Sequence, residues 1–157
     1  VVDPDERSAA SGVTAIALPL ILARGRPLAA SGLLRTLGAG LLVIGAAAYA
    51  WCVWDFAAYG RGTPLPLDAP RRLVTRGLYR YTRNPMYLGV LSVAAAWPAV
   101  FASSWLLVYA AGLALAFQSF VVLYEEPRLR ALFGAEYGAY CRTVARWLAW
   151  PRPRMPD

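Results

Sequence analysis

Residues 86–124 hold thirty-nine consecutive positions without a charged side chain. One helical crossing of a bilayer takes about 20 residues, so this run is long enough for two spans joined by a tight reversal. Trp97-Pro98 and Ser103-Ser104 are the places where it can turn. A second uncharged run, 36–54, has nineteen residues and ends in Tyr49, Trp51 and Trp54, an aromatic cluster of the kind found at a membrane interface. A third, 8–23, has sixteen and contains Pro19, which makes it short for a span. The pattern predicts an all-α integral membrane protein with about four transmembrane helices and C-terminal interfacial helices. A single domain, 1–157, has spans at 10–24, 35–57, 85–101 and 104–125 and an interfacial region at 127–150.

Composition agrees. The chain is 59% hydrophobic with a mean hydropathy of +0.44, and only 16% of its residues are charged. An ordinary soluble domain is less apolar and nearer a quarter charged. All 16 basic residues are arginine, against 9 acidic ones. With no His, a Ser-His-Asp triad, a Cys-His dyad and a His-ligated metal are excluded, and no metal site is expected. With no Lys, Schiff-base chemistry is excluded. Cys52 and Cys141 lie too far apart for a zinc ribbon or a CxxC redox pair. Cys52, inside an apolar run, reads as a small core hydrophobe. The first residues, Val1 to Arg7, are acidic rather than basic and do not read as a signal peptide.

The arginines set an orientation. Arg61, Arg71, Arg72, Arg76, Arg80 and Arg83 stand between the second and third runs, and Arg128, Arg130, Arg142, Arg146, Arg152 and Arg154 follow the last, while 98–104 is uncharged. The positive-inside rule then puts 55–85 and the tail on the cytoplasmic side. Arg24, Arg26 and Arg35 conflict with that rule if the first helix spans. Arginines flanking membrane segments also account for the basic balance without nucleic acid.

Small residues crowd the runs: Gly38, Gly40, Gly45 and Ala46 to Ala48, then Ala94 to Ala96, then Ala110, Ala111, Gly112, Ala114 and Ala116. Such residues let helices approach closely in lipid. Room for a lipid-like ligand between helices is the functional alternative.

Polar chemistry gathers in two places. At Asn84-Pro85 a capping residue precedes a proline suited to the first helical turn, so a span starts there with its N-terminus at the cytoplasmic edge. Free N–H groups, the helix dipole, Arg80 and Arg83 favour an anion at that point. A plain helix start flanked by arginines is the structural alternative. Glu125-Glu126 ends the last span, at the unfavourable end of its dipole, so the carboxylates need partners. Arginines from 71–83, a cationic ligand, or a new interfacial helix beginning at Glu126-Pro127 would each satisfy them. Beyond, Leu129, Leu132, Phe133, Tyr137, Tyr140, Val144 and Trp147 recur at helical spacing between arginines, with Gly134 as the break. Pro151, Pro153 and Pro156 exclude a helix at the end.

The run Gly77-Leu78-Tyr79-Arg80-Tyr81-Thr82-Arg83-Asn84-Pro85-Met86-Tyr87-Leu88-Gly89, an uncharged hairpin, then Glu125-Glu126, Phe133-Gly134, Tyr137, Tyr140 and Arg146-Trp147 carry a resemblance. In their order and spacing they resemble the isoprenylcysteine carboxyl methyltransferase and phospholipid methyltransferase superfamily. The small bacterial members are nearest, helped by Gly60 to Pro64 and Leu73 to Gly77. The resemblance covers about 33–151. It implies an integral membrane enzyme of the bacterial inner membrane that uses S-adenosylmethionine and methylates a hydrophobic or membrane-embedded acceptor. The partners implied are the bilayer and that acceptor. It places the cofactor at the cytoplasmic edge, with Arg83, Asn84 and Glu126 as catalytic residues. Tyr79, Arg83, Asn84, Pro85, Tyr87, Gly89, Glu125, Glu126, Tyr137 and Tyr140 are the implied cofactor-binding set.

The chain departs from that pattern in three respects: Asn84 stands where His is commoner, Ala145 where a Pro often stands, and the first helix is short. Methyl transfer by in-line displacement mainly needs alignment, without metal or covalent intermediate. A chain without His or Lys suits a carboxylate or thiol acceptor better than an amine, which must first lose a proton. Two other classes fit parts of the pattern. One is an NADPH-dependent membrane reductase of the sterol type, which shares an Arg-x-Pro-x-Tyr-x-Gly-like pattern, although Val90 stands where those enzymes carry an acidic residue. The other is a non-catalytic membrane protein in which Arg83, Asn84, Glu125 and Glu126 only pair with one another.

Overall fold

A computed structural model describes residues 31–55 and 73–148, together with Pro19, Ile21, Ala23 and Ala58. The described residues contain helices and turns and no strand. Helix α1 is Gly32–Asp55. A short 3-10 turn, Gly77–Arg80, precedes α2, Pro85–Phe101. Helix α3, Ser104–Phe120, runs through a π-helical turn, Val121–Glu125, directly into α4, Glu126–Thr143. Two helical stretches, Gly32–Asp55 and the continuous Ser104–Thr143, are long and apolar enough to cross a membrane, and Pro85–Phe101 is a shorter apolar helix. Most of the expected first helix, with Arg24 and Arg26, lies outside the described residues, as do Arg61, Arg71, Arg72 and the closing prolines.

Glycines set the spacing of α1 and α2. A Cβ on Gly45 would stand 2.8 Å from the Gly89 carbonyl oxygen, and one on Gly89 would stand 2.9 Å from the Gly45 oxygen. Further along, a Cβ on Gly38 would meet Val100 at 2.8 Å. Gly45 therefore meets Gly89 while Gly38 meets Val100, so the two helices are antiparallel with their backbones in contact. Interhelical approach of this kind favours small residues because dispersion contacts, not a hydrophobic force, drive association in lipid. The outer face of α1 keeps Leu37, Val43, Ile44, Trp51 and Trp54 exposed, as a lipid-facing surface would.

The reversal between α2 and α3 falls at Ala102-Ser103. Ala102 is left-handed (φ 46°, ψ 42°), and the backbone N–H groups of Ala102 and Ser103 both donate to the Pro98 carbonyl. Pro98 does not turn the chain; it lies inside the last helical turn. That hairpin returns the end of α3 to the start of α2, where Tyr87 and Phe117 meet with ring centroids 4.8 Å apart. Gly134 (φ 49°, ψ −119°) interrupts α4 with a kink, the conformation at which only glycine is unstrained.

Candidate active site at the membrane edge

Three chain segments reach one edge of the bundle. The first is the loop 73–84. Gly77 is left-handed (φ +58°), and any side chain there would overlap the Asp55 carboxylate at the end of α1. Asp55 is buried and accepts from Trp51 Nε1 at 3.0 Å. The loop is thus seated on the α1 terminus, where Cys52, Val74 and Tyr79 form a buried cluster with Leu78 and Met86 beside it. The second segment is the α3–α4 junction carrying the two glutamates. The third is the far half of α4 with the chain that follows. There Tyr137, Tyr140 and Val144 are buried together, and the Tyr140 hydroxyl donates to the Tyr79 carbonyl at 2.7 Å.

Glu125 and Glu126 do not act on one partner. Neighbours on a helix project about 100° apart, and the π turn that ends at Glu125 adds a further local change of register. Glu125 points to α2, accepting from the Tyr87 hydroxyl at 2.9 Å. Glu126 points to the loop and the strand-like exit of α4. Its Oε1 receives Arg146 Nε at 2.7 Å and Arg83 Nη1 at 3.1 Å, and its Oε2 receives Arg146 Nη2 at 3.1 Å. Arg130, one helical turn on and exposed, stands 3.9 Å away. Side-chain exposure is 7% for Glu126, 11% for Arg83 and 33% for Arg146, so the bidentate pair is desolvated on the carboxylate side. Burial alone would push the Glu126 carboxyl up. The Arg146 hydrogen bonds and the charges of Arg83, Arg146 and Arg130 outweigh it and hold the group below the ordinary carboxylate range.

Asn84 occupies the N-cap position of α2, and Pro85 follows in the first turn. The side chain does not cap the helix, contrary to what its residue type suggests. Its Nδ2 instead donates to the Arg146 carbonyl at 2.9 Å. The Thr82 hydroxyl donates to the same carbonyl at 3.1 Å and accepts the Asn84 N–H at 3.2 Å. The Arg83 N–H donates to the Ala145 carbonyl at 2.9 Å. The amide is held at the Arg146 carbonyl through Nδ2, and its Oδ1 makes no cap hydrogen bond to α2.

Of the residues expected at the site, Arg83, Asn84, Glu125, Glu126 and Tyr87 come together here. Tyr79 and Tyr140 meet through the Tyr140 hydroxyl and the Tyr79 backbone carbonyl. Burial pushes the phenols of Tyr79, Tyr137 and Tyr140 up, so all three are neutral. Pro85 starts α2, and Gly89 faces α1 rather than this edge, where Tyr49 and Gly45 crowd it. The sequence did not single out Arg146, Thr82 or Trp147 as site residues. Trp147 Nε1 donates to Gln118 Oε1 at 2.7 Å, tying the tail to α3. The sequence signal for Arg146 was its place in the Arg146-Trp147 pair that closes the family resemblance.

Two groups keep hydrogen-bonding capacity that the described residues do not use. Arg83 Nε is buried with no hydrogen-bond partner among the described residues, while its Nη1 also donates to Cys141 Sγ at 2.7 Å. Glu125 has Tyr87 as its hydrogen-bond donor among the described residues, which leaves carboxylate acceptor capacity. A spare donor and spare acceptor capacity thus lie on segments that meet at this edge. Among the described residues no cluster of His, Cys, Asp or Glu could hold a metal ion.

No curated protein and no solved structure matches the chain. The family model described as phospholipid methyltransferase matches residues 33–136, from α1 through both polar motifs and the kink at Gly134. That stretch holds Arg83, Asn84, Glu125 and Glu126 and covers most of the chain, which belongs to the phospholipid methyltransferase family.

Proposed function

We propose that the protein transfers a methyl group from S-adenosylmethionine to a hydrophobic or membrane-embedded acceptor, at the cytoplasmic edge of a bacterial inner membrane. The supporting observation is the convergence of the α2 start, the α3–α4 junction and the tail on Glu126. The residues fit the cofactor's chemistry, since among the described residues Arg83 Nε has no partner and Glu125 keeps acceptor capacity. When bound, S-adenosylmethionine supplies an electrophilic methyl on a sulfonium.

In this reading Glu125, set by Tyr87, takes the cationic or hydroxyl-bearing part of the cofactor. Arg83 takes its carboxylate. Glu126 keeps Arg83 in place, and Asn84 holds the segment that bears Arg146. Tyr79, Pro85, Tyr137 and Tyr140 build the walls behind them, while Gly89 serves the α1–α2 contact. The chain's task is alignment of nucleophile and methyl, which is where most of the rate gain in such a displacement arises.

The acceptor favoured is a carboxylate or a thiol. The 157 residues contain no His or Lys to take a proton near neutral pH, and a carboxylate is already ionised there. Purified protein in liposomes, given radiolabelled S-adenosylmethionine, is expected to label fatty or prenylated acids and thiols. Labelling of amine lipids alone contradicts the acceptor class. Labelling of nothing, by folded protein offered all three classes, contradicts the activity.

A further inference from the structure

We infer that Arg146 is a positioning residue of this site and that Asn84 serves it as a hydrogen-bond donor, the two fixing Val144–Trp147 as a strap over the Arg83–Glu126 pair. The inference rests on the methyltransferase reading above and goes beyond it by assigning the strap.

Four observations carry it. Val144 still donates its N–H to the Tyr140 carbonyl at 2.9 Å, but it leaves α4 in an extended conformation (φ −120°, ψ 130°), so the helical ladder ends there. The strap's carbonyls are satisfied from the loop instead: Arg83 N–H on Ala145, and both Thr82 Oγ1 and Asn84 Nδ2 on Arg146. Thr82 and Asn84 are buried, 7% and 6% exposed, so donors lost there are not replaced by water. At the other end, the Arg146 side chain forks onto Glu126 and Trp147 bonds to Gln118 on α3. One residue therefore joins the α2 start through its backbone and the α4 start through its guanidinium. Arg83 lies between those two attachments. Its Nε, without a partner among the described residues, is positioned from both sides, by Glu126 and by the Ala145 carbonyl of the strap.

Two roles for Asn84 are separable by chemistry. As a strap donor it can be replaced by His, whose ring N–H can donate, and not by Asp, which is nearly isosteric but presents a carboxylate to a carbonyl oxygen. As an acceptor or base in catalysis, Asp would serve and His would introduce a pH dependence near its own titration range.

Cys141 reports on the strap without any cofactor. It packs beside Val144, Tyr137 and Tyr140 and accepts from Arg83, whereas Cys52 is fully buried and gives little background. Maleimide labelling of Cys141 is measured in detergent-purified, ligand-free wild type, Asn84→Asp, Asn84→His, Thr82→Val and Arg146→Lys. Binding of S-adenosylhomocysteine is measured on the same samples. Loss of a buried hydrogen-bonded partner corresponds to about tenfold in an equilibrium. Labelling of Asn84→Asp is expected to rise, and affinity to fall, by about that factor. Arg146→Lys and Thr82→Val shift in the same direction by less, and Asn84→His stays near wild type with an unchanged pH profile.

Wild-type labelling in both Asn84→Asp and Thr82→Val overturns the strap. So does full activity in Asn84→Asp. If Asn84→Asp does not fold, Thr82→Val, which removes one of two donors to the same carbonyl, decides alone. Wild type that binds no S-adenosylhomocysteine while the labelling shifts as expected contradicts the cofactor reading and supports the strap.

Discussion

The Arg146 guanidinium lies as a fork against the Glu126 carboxylate, Nε 2.7 Å from Oε1 and Nη2 3.1 Å from Oε2. Paired planar groups of this kind make the stronger class of hydrogen bond. Glu126 is therefore committed to the protein, and Glu125, its neighbour, is the carboxylate with capacity for a ligand. This division between adjacent glutamates organises the predictions that follow.

Glu126→Gln removes the buried charge shared by Arg83, which is largely buried, and Arg146, which is partly exposed. Removing one partner of a buried ion pair costs about 3 kcal/mol, because the remaining charge is left uncompensated. The melting temperature in detergent is expected to fall, and Cys141 to become more reactive as Arg83 is released. An unchanged melting temperature would mean that the pairing is dispensable.

Glu125→Gln is the opposite case. It removes no arginine partner, so thermal stability should stay near wild type while S-adenosylmethionine affinity falls at least tenfold. Tyr87→Phe removes one hydrogen bond, about 1 kcal/mol or roughly fivefold in affinity. Calorimetric titration of both variants checks the order of the two effects.

Stability should depend on acid through Glu126. Its folded carboxyl is held below the ordinary value by Arg146, Arg83 and Arg130 against the effect of burial. Between the ordinary carboxylate pKa of about 4.3 and that lower value, the unfolded chain binds a proton that the folded chain does not. The contribution of Glu126 is thus fully present above that range and is lost as pH falls through the folded value. Melting curves from pH 7 downward should show the decline in wild type and a flatter profile in Glu126→Gln.

The glycines of the α1–α2 contact give a matched pair of substitutions. Gly89→Ala places a methyl 2.9 Å from the Gly45 carbonyl oxygen and 3.0 Å from the Tyr49 nitrogen, both backbone atoms that cannot step aside. Overpacking of that kind costs about 1–3 kcal/mol. A Cβ on Gly40 meets nothing within 4 Å, so Gly40→Ala should be neutral or slightly stabilising. Thermal stability of the two variants, measured side by side, separates contact from mere helix content.

Much of this was legible in the chain because it depends on local rules. Uncharged length gives apolar helices, Asn84-Pro85 gives a helix start, and Gly134 gives a kink. The family motif was legible for the same reason: Arg83, Asn84 and Pro85 are contiguous, and so are Glu125 and Glu126. What the chain did not reveal depends on contacts across long separations. The Asn84 amide is directed by a carbonyl sixty-two positions away, so its residue type suggested a cap that does not form. The glutamates diverge as helix neighbours do, about 100° apart, but the register that decides which element each one meets is shifted by a π turn, which no residue type announces. Of the two reversal places the sequence offered, Trp97-Pro98 stays helical, and the turn falls beside Ser103-Ser104, where Ala102 is left-handed.

The central claim is a cofactor site built from Arg83 and Glu125 beside the Glu126–Arg146 pair. Its most direct test is calorimetric titration of detergent-purified protein with S-adenosylmethionine, S-adenosylhomocysteine and NADPH, in wild type and Glu125→Gln. The account predicts binding of the first two, none of NADPH, and loss of both in the variant while it remains folded. Binding of NADPH alone, or no binding of any of the three by folded wild type, would contradict it.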